Sequence, residues 1–330
     1  MDFAICLILT AAVTAVCRDG IRKRANYVYL AATVLAVVSA LNLPVRLLEP
    51  LTKGSLATAL FAVVMLAGAV PGSLRKYWMP IRGELSIAAG ILTLGHNVAA
   101  GRIHFVQLFT KPGEMPLNYL LAAICSLVMI AILLPLWVTS FPAVRRRMQP
   151  KVWKKLQKLA YPFYGLIYLH VLLLNVPGAS EGDTAALINV GVFSLVFVGY
   201  GILRIGKATG NLLTAGILGA MVLAAVLTLS LPPRTAGEPE GPFVDGTYEG
   251  SGRGYRSTIR VQVTVEDEKI AAIEILSQGD DESYWNQALQ TVDRVLEYQT
   301  TDVDTVTYAT KSSRGILKAV RSALKQALPQ

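Results

Sequence analysis

The chain has 330 residues, 53% hydrophobic and 16% charged, and its mean hydropathy of +0.48 is too high for an ordinary soluble protein of this length. The net charge of +9 does not point to nucleic acid, because the basic residues cluster in short loops between apolar runs, where membrane topology accounts for them. The three cysteines, Cys6, Cys17 and Cys125, lie in or beside apolar runs without CxxC spacing, which supports neither a disulfide framework nor a zinc site.

Runs long enough to cross roughly 30 Å of hydrocarbon are predicted at 26–43, 55–74, 82–101, 117–139, 157–176, 185–205 and 211–231, after a shorter one at 3–17. That makes eight candidate helices. The first run lacks a basic stretch ahead of it, and Arg18, Arg22, Lys23 and Arg24 follow it, so an N-out helix fits better than a signal peptide. With that start, one set of loops carries Arg75, Lys76, Arg82, Arg145, Arg146, Arg147, Lys151, Lys154, Lys155, Lys158, Arg204 and Lys207 as well. The opposite loops carry Arg46, Lys53, Arg102 and Lys111. This bias assigns the first set to the cytoplasm, and an even number of spans then carries everything after Leu231 outside. The fold class expected is a polytopic all-α membrane bundle of about eight helices over 1–231, a linker at 232–242, and a small extracytoplasmic α+β domain over 243–330.

Ionisable residues inside spans are expensive and are functional candidates. His96 and His170 lie in two helices that run in the same direction, at nearly the same depth below the outer surface. Two imidazoles so placed can hold one haem b iron from both faces; the other reading is that each hydrogen-bonds a neighbouring helix. His104, in RIHFVQL, falls past the helix end and reads as solvated or interfacial.

The segments RGELSIAAGILTLGH (82–96) and WKKLQKLAYPFYGLIYLH (153–170) resemble the two haem-bearing helices of the ferric reductase-like transmembrane domain, especially the haem subunit that serves periplasmic methionine sulfoxide reductase. The resemblance covers about residues 55–205 and implies haem b on His96 and His170. Members commonly carry a further histidine thirteen residues before the one matched by His170, and Gln157 stands there, which argues against a second haem on the cytoplasmic side. No GxGxxG occurs, so the NADPH and FAD module of the eukaryotic oxidase relatives is not expected.

Beyond the Pro- and Gly-rich PPRTAGEPEGP, Ile259, Val261, Val263 and Val265 alternate with Arg260, Gln262 and Thr264, the period of a strand with one buried face. EDEK is its turn and Ile270 to Leu276 the returning strand. Gly246, Gly250, Gly252 and Gly254 mark a preceding hairpin or bulged strand. YWNQALQTVDRVLEY sets Trp285, Ala288, Leu289, Val292, Val295 and Leu296 at helical spacing. A final helix is predicted from about Ser313, with Ile316, Leu317, Val320, Leu324 and Leu328 on its apolar face. Just ahead of it, TVTYATKSS admits two readings: Ser312 and Ser313 as N-caps, or a phosphate seat at a helix N-terminus, with Thr310 at its mouth and Lys311 and Arg314 alongside.

DGTYEG, the strand pair and Asp-x-x-Thr-x-Ala-Thr-x-Ser-Ser before a terminal helix resemble the FMN-binding domain of the flavoprotein subunits of the Rnf and sodium-pumping quinone reductase complexes, over about residues 243–328. In that family a flavin transferase attaches FMN through its phosphate to the last hydroxyl of a [Ser/Thr]-Gly-Ala-[Thr/Ser] motif. The resemblance implies Thr310 as acceptor, Thr307 and Ala309 as first and third positions, Asp304 as the leading acid, and Ser312 and Ser313 within the site. Tyr308 stands where glycine is usual. Tyr284 and Trp285 read either as a stacking platform for the isoalloxazine or as core packing.

Together the resemblances imply transmembrane electron transfer, from a membrane quinol or a cytoplasmic donor through haem b to covalent FMN and on to an extracytoplasmic acceptor. Two other readings stay open. One is an FMN-binding docking or sensing module on a membrane anchor. The other is a subunit of an ion-translocating redox complex, against which the near absence of carboxylates deep in the spans, Glu84 apart, counts.

Overall fold

The computed structural model describes residues 2–43, 45–70, 72–180, 182–231, 242–306 and 309–329. The linker residues 232–241 and two motif positions, Thr307 and Tyr308, lie outside the described residues. The chain divides into two compact units, Met1–Pro233 and Arg234–Gln330.

The first unit is mostly helical. Four helices are long and apolar enough to cross a membrane: Leu117–Val138, Pro150–Ser180, Thr184–Thr209 and Leu212–Ser230. Phe3–Val16, Ala25–Ala40 and Ser55–Ala67 are apolar but shorter. Capping sets two of the starts. Asp183 Oδ1 accepts from the N–H of Ala185 and of Ala186, and Asn211 Oδ1 accepts from that of Thr214, satisfying amides that a helix leaves open in its first turn. Arg82–His96 continues through a π turn, Asn97–Gly101, into Arg102–Thr110. It packs against Ala25–Ala40 and Ser55–Ala67, while Ala160–Ser180 packs against Leu117–Val138 and Thr184–Thr209. Leu85, Ala89, Phe61, Val64, Leu133 and Phe163 lie in the core between them.

The second unit is a three-stranded antiparallel sheet with helices. Its strands, β1 (Gly246–Arg253), β2 (Thr258–Glu266) and β3 (Lys269–Ser277), are ordered β1-β2-β3. The alternation expected for β2 is present, with Ile259, Val261, Val263 and Val265 buried. Asp267 and Glu268 both have positive φ (51° and 60°) between the paired Glu266 and Lys269, the two-residue turn whose twist matches that of the flanking strands. The terminal helix, Thr310–Leu324, lies on β1 and β2 and buries Ile316, Leu317, Val320 and Leu324.

One expectation holds in part and two are corrected. The glycines before β2 lie on the first arm of a hairpin and make no bulge: β1 is a regular antiparallel partner of β2 from Gly246 to Arg253, and the register shifts lie between β2 and β3 instead. Gly250 and Gly252 are there because the helix comes down on the strand. A Cβ on the first would overlap the carbonyl oxygen of Ala319, and on the second that of Gly315. Secondly, the helix predicted from Tyr284 onward is two, Glu282–Ala288 and Gln290–Tyr298, and Leu289 at their junction is exposed. Thirdly, the terminal helix begins at Thr310, three residues before Ser313.

Candidate functional site

That earlier start changes what the hydroxyls do. Ser312 and Ser313 are buried inside the first turns and cap nothing. Ser312 Oγ donates to Asp280 Oδ2 at 2.6 Å, and Ser313 Oγ accepts from the Val306 N–H at 3.3 Å. The cap position is held by Ala309, which has no side chain able to close the turn. Thr310 is therefore the first helical residue, half-buried, at an end where the amides and the dipole favour an anion. Ala309 is 2% exposed and belongs to the domain core. Its small size serves packing.

The approach to Thr310 is tied down from several sides. Arg294 Nη1 donates to the Asp304 carbonyl oxygen at 2.6 Å. Arg321 donates from Nε to Thr301 Oγ1 and from Nη2 to the Thr301 carbonyl, both at 2.9 Å. Gln299, held in the left-handed region at φ 55°, lays its amide along β3. It accepts from the Ile270 N–H at 2.8 Å and donates to the Ile270 carbonyl at 3.0 Å.

Asp280 was not among the residues singled out from the sequence, and it organises the other side. Its carboxylate accepts from the N–H of Tyr255 and of Arg256 at 2.7 Å each, from that of Ser257 at 3.1 Å and from Ser312 Oγ. It thus joins the β1–β2 turn to the terminal helix. Burial pushes this carboxyl up, but the Ser312 hydroxyl and the three amides outweigh it and hold it below the usual carboxylate value. Next to the helix start, the Lys311 ammonium lies 5.4 Å from the centre of the Tyr255 ring, which meets Tyr284 edge-on at 5.9 Å. Arg256 pairs with Asp281 at 2.8 Å. Of the two aromatics considered for stacking, Trp285 is a core residue, 7% exposed, while Tyr284 is 42% exposed.

Residues 254–325 match the FMN-binding domain family, a span that runs from the Tyr255 turn through Asp280 to the end of the terminal helix. The second unit carries an FMN-binding domain. The chain is 35% identical, over 340 aligned residues covering 94% of this chain and 94% of the other, to an uncharacterized protein of Treponema pallidum (strain Nichols). This chain belongs to the same family as that treponemal protein.

Outside the FMN-binding domain, the two histidines predicted as metal ligands share a local arrangement. His96 Nδ1 lies 2.7 Å from the Thr52 carbonyl oxygen. His170 Nδ1 lies 3.2 Å from the Ala122 carbonyl oxygen and 3.2 Å from Ser126 Oγ. Because a carbonyl only accepts, each Nδ1 carries the proton and each Nε2 is left with its lone pair. Gly54, at φ +75°, lets the backbone pass against the His96 ring, where a Cβ would sit 3.0 Å from Cγ. His104 stacks on Tyr119 at 5.4 Å. Among the described residues no cluster of three or more His, Cys, Asp or Glu side chains gathers to hold a metal ion.

Proposed function

We propose that this chain is a membrane electron carrier that holds FMN through a phosphodiester on Thr310 and haem b between His96 and His170, and that passes electrons from a membrane quinol or a cytoplasmic donor to an acceptor outside the membrane. The observation that carries the reading is Thr310 in the first turn of an uncapped helix, inside a segment that matches the FMN-binding domain family. A phosphate on its hydroxyl meets the positive end of the helix, and Lys311 and Arg314 add charge from the same turns. Asp304 and Thr307 complete the motif that a flavin transferase reads, and Tyr255 and Tyr284 offer ring faces beside it.

For haem the donor set fits. Each Nδ1 is engaged with a backbone carbonyl, the outer-shell contact that orients a ligating imidazole and frees Nε2. When bound, haem supplies one-electron steps and FMN one- or two-electron steps, so together they join single-electron passage to two-electron delivery. In this reading the chain crosses eight times, the basic loops face the cytoplasm, and the FMN-binding domain lies outside.

The deciding experiment is an intact-mass and absorption spectrum of the full chain purified from cells that make the flavin transferase. The expected result is one FMN on the peptide containing Thr310 and a low-spin haem spectrum. An unmodified Thr310 peptide removes the attachment. Flavin without haem makes the helical unit an anchor for an FMN-binding docking or sensing module.

A further inference from the structure

Flavin and haem leave one large feature of the helical unit unused. A cavity of about 1000 Å3 opens at the end of the unit where Arg82–His96 begins and Leu117–Val138 finishes. Arg75 and Arg82 line it from one stretch of chain, and Arg145 and Arg146 from the loop after Leu117–Val138. Lys154 and Lys158 come from the segment that follows, and Arg204 and Lys207 from the end of Thr184–Thr209. Against these eight cations the lining contains one acid, Glu84. None of the eight makes an ion pair among the described residues.

Topology explains why such residues lie at one end of the unit. It does not explain their convergence, from four stretches of chain, around a cavity whose floor is apolar. Phe61, Val64, Ile87, Leu133 and Phe163 line its depth and are each less than a tenth exposed. Two of the cations are held against aromatic rings. The Arg145 guanidinium lies over the Trp153 ring at 4.2 Å, and Trp153 is itself fixed by donating Nε1–H to the Thr139 carbonyl at 3.0 Å. Arg204 lies over the Tyr161 ring at 5.2 Å and donates to its hydroxyl. A guanidinium held over an aromatic ring keeps N–H groups for an anion, and Arg204 has donors beyond the one it gives Tyr161.

A cationic rim above an apolar floor, open between helices at membrane depth, matches a ligand with an anionic head and a hydrocarbon body. We propose that this basin is a specific site for an anionic phospholipid, with the phosphate among Arg82, Arg145, Lys158 and Arg204 and the chains on the apolar floor. Basic pockets between membrane helices take such head groups, and the excess of positive charge places this one at the inner leaflet. A soluble nucleotide shares the phosphate chemistry but has no use for the floor. The inference rests on the helical unit lying in a membrane and is independent of both redox groups.

The test uses the full chain and native mass spectrometry, comparing retained phosphatidylglycerol with phosphatidylcholine of the same chain length. Wild type should retain the anionic lipid selectively. Each neutralised cation should weaken retention about fivefold, so the Arg145→Gln, Arg204→Gln double variant should weaken it about 25-fold. The Arg22→Gln, Lys23→Gln control removes the same charge from the same set of loops but does not line the cavity, and it should retain lipid as wild type does. If the double variant does not fold, Lys158→Gln alone should show the fivefold loss. Equal retention of the two lipids by wild type, or equal loss in the control, overturns the site. Displacement of the lipid by adenosine diphosphate would reassign the basin to a soluble phosphate ligand and overturn the lipid reading.

Discussion

In the FMN-binding domain, the residues around Thr310 are held by hydrogen bonds that cross between elements distant in sequence: Asp280 to Ser312 and to the β1–β2 turn, Arg321 to Thr301, Gln299 to β3. In the helical unit, His96 is held by the Thr52 carbonyl and His170 by the Ala122 carbonyl with Ser126 Oγ beside it, and the rest of their surroundings is mostly packing. The contrast follows from solvent. A small domain with one thin sheet must fix its functional turn by polar contacts, which water would otherwise compete for, whereas among apolar helices one or two hydrogen bonds and close packing suffice to orient a ring. The first arrangement should therefore fail piecemeal and the second all at once.

The sharpest way to separate the two units is Thr310→Ala. It should abolish covalent flavin completely while leaving haem content unchanged, read by in-gel flavin fluorescence beside a haem spectrum. Full fluorescence in the variant would remove Thr310 as the attachment point. The mirror experiment is His96→Leu or His170→Leu, each of which should remove most of the low-spin haem, since one lost axial ligand leaves the iron weakly held, with flavin loading intact. His104→Ala should change little, and the opposite order of effects would break the pairing.

Smaller effects probe how the FMN-binding domain holds its turn. Gly252→Val drives a side chain into the backbone of the terminal helix and should destabilise the domain by about 3 kcal/mol or more, measured by urea unfolding of the full chain with flavin fluorescence as the probe. Asp280→Asn should cost about 2 kcal/mol at neutral pH, and its pH dependence carries the sign. The folded carboxyl titrates below its unfolded value of about 3.9. Its stabilisation is therefore present above that value and is lost as pH falls through the folded one. Wild type should weaken on acidification in that window, and Asp280→Asn should weaken less. Ser312→Ala removes one of the four contacts that hold the carboxyl down and should cost about 1 kcal/mol. A loss as large as that of Asp280→Asn would mean that Ser312, and not the three amides, carries the junction.

Much of this was legible in the sequence where the signal is local. The period-two run from Ile259 to Val265 needs only its own residues to be recognised, and so do the apolar stretches of the four longest helices. The start of the terminal helix was not legible, because Ser312 and Ser313 have the chemistry of caps and only their partners, Asp280 and Val306, show that they are interior. Asp280 itself stands just ahead of a helix and reads as one more capping acid. Gly250 and Gly252 look like turn or bulge residues until a helix some sixty positions away is seen lying on them. Each miss is a contact between distant segments, which neither periodicity nor composition encodes.

The π turn at Asn97–Gly101 has a bearing on the angle between histidines. In an unbroken α-helix, residues eight apart are rotated by about 80° at 3.6 residues per turn. A π turn accommodates one extra residue, so His104 follows His96 with the phase of a seventh residue, about 20° off the same line. Deleting one residue between Asn97 and Gly101 would let the turn relax to α and leave His104 in the sector it shares with His96, whereas an α turn of the present length would swing it through about 100°. The widened turn thus takes up one residue of chain, fixing which side of the helix the second imidazole looks toward without altering the first.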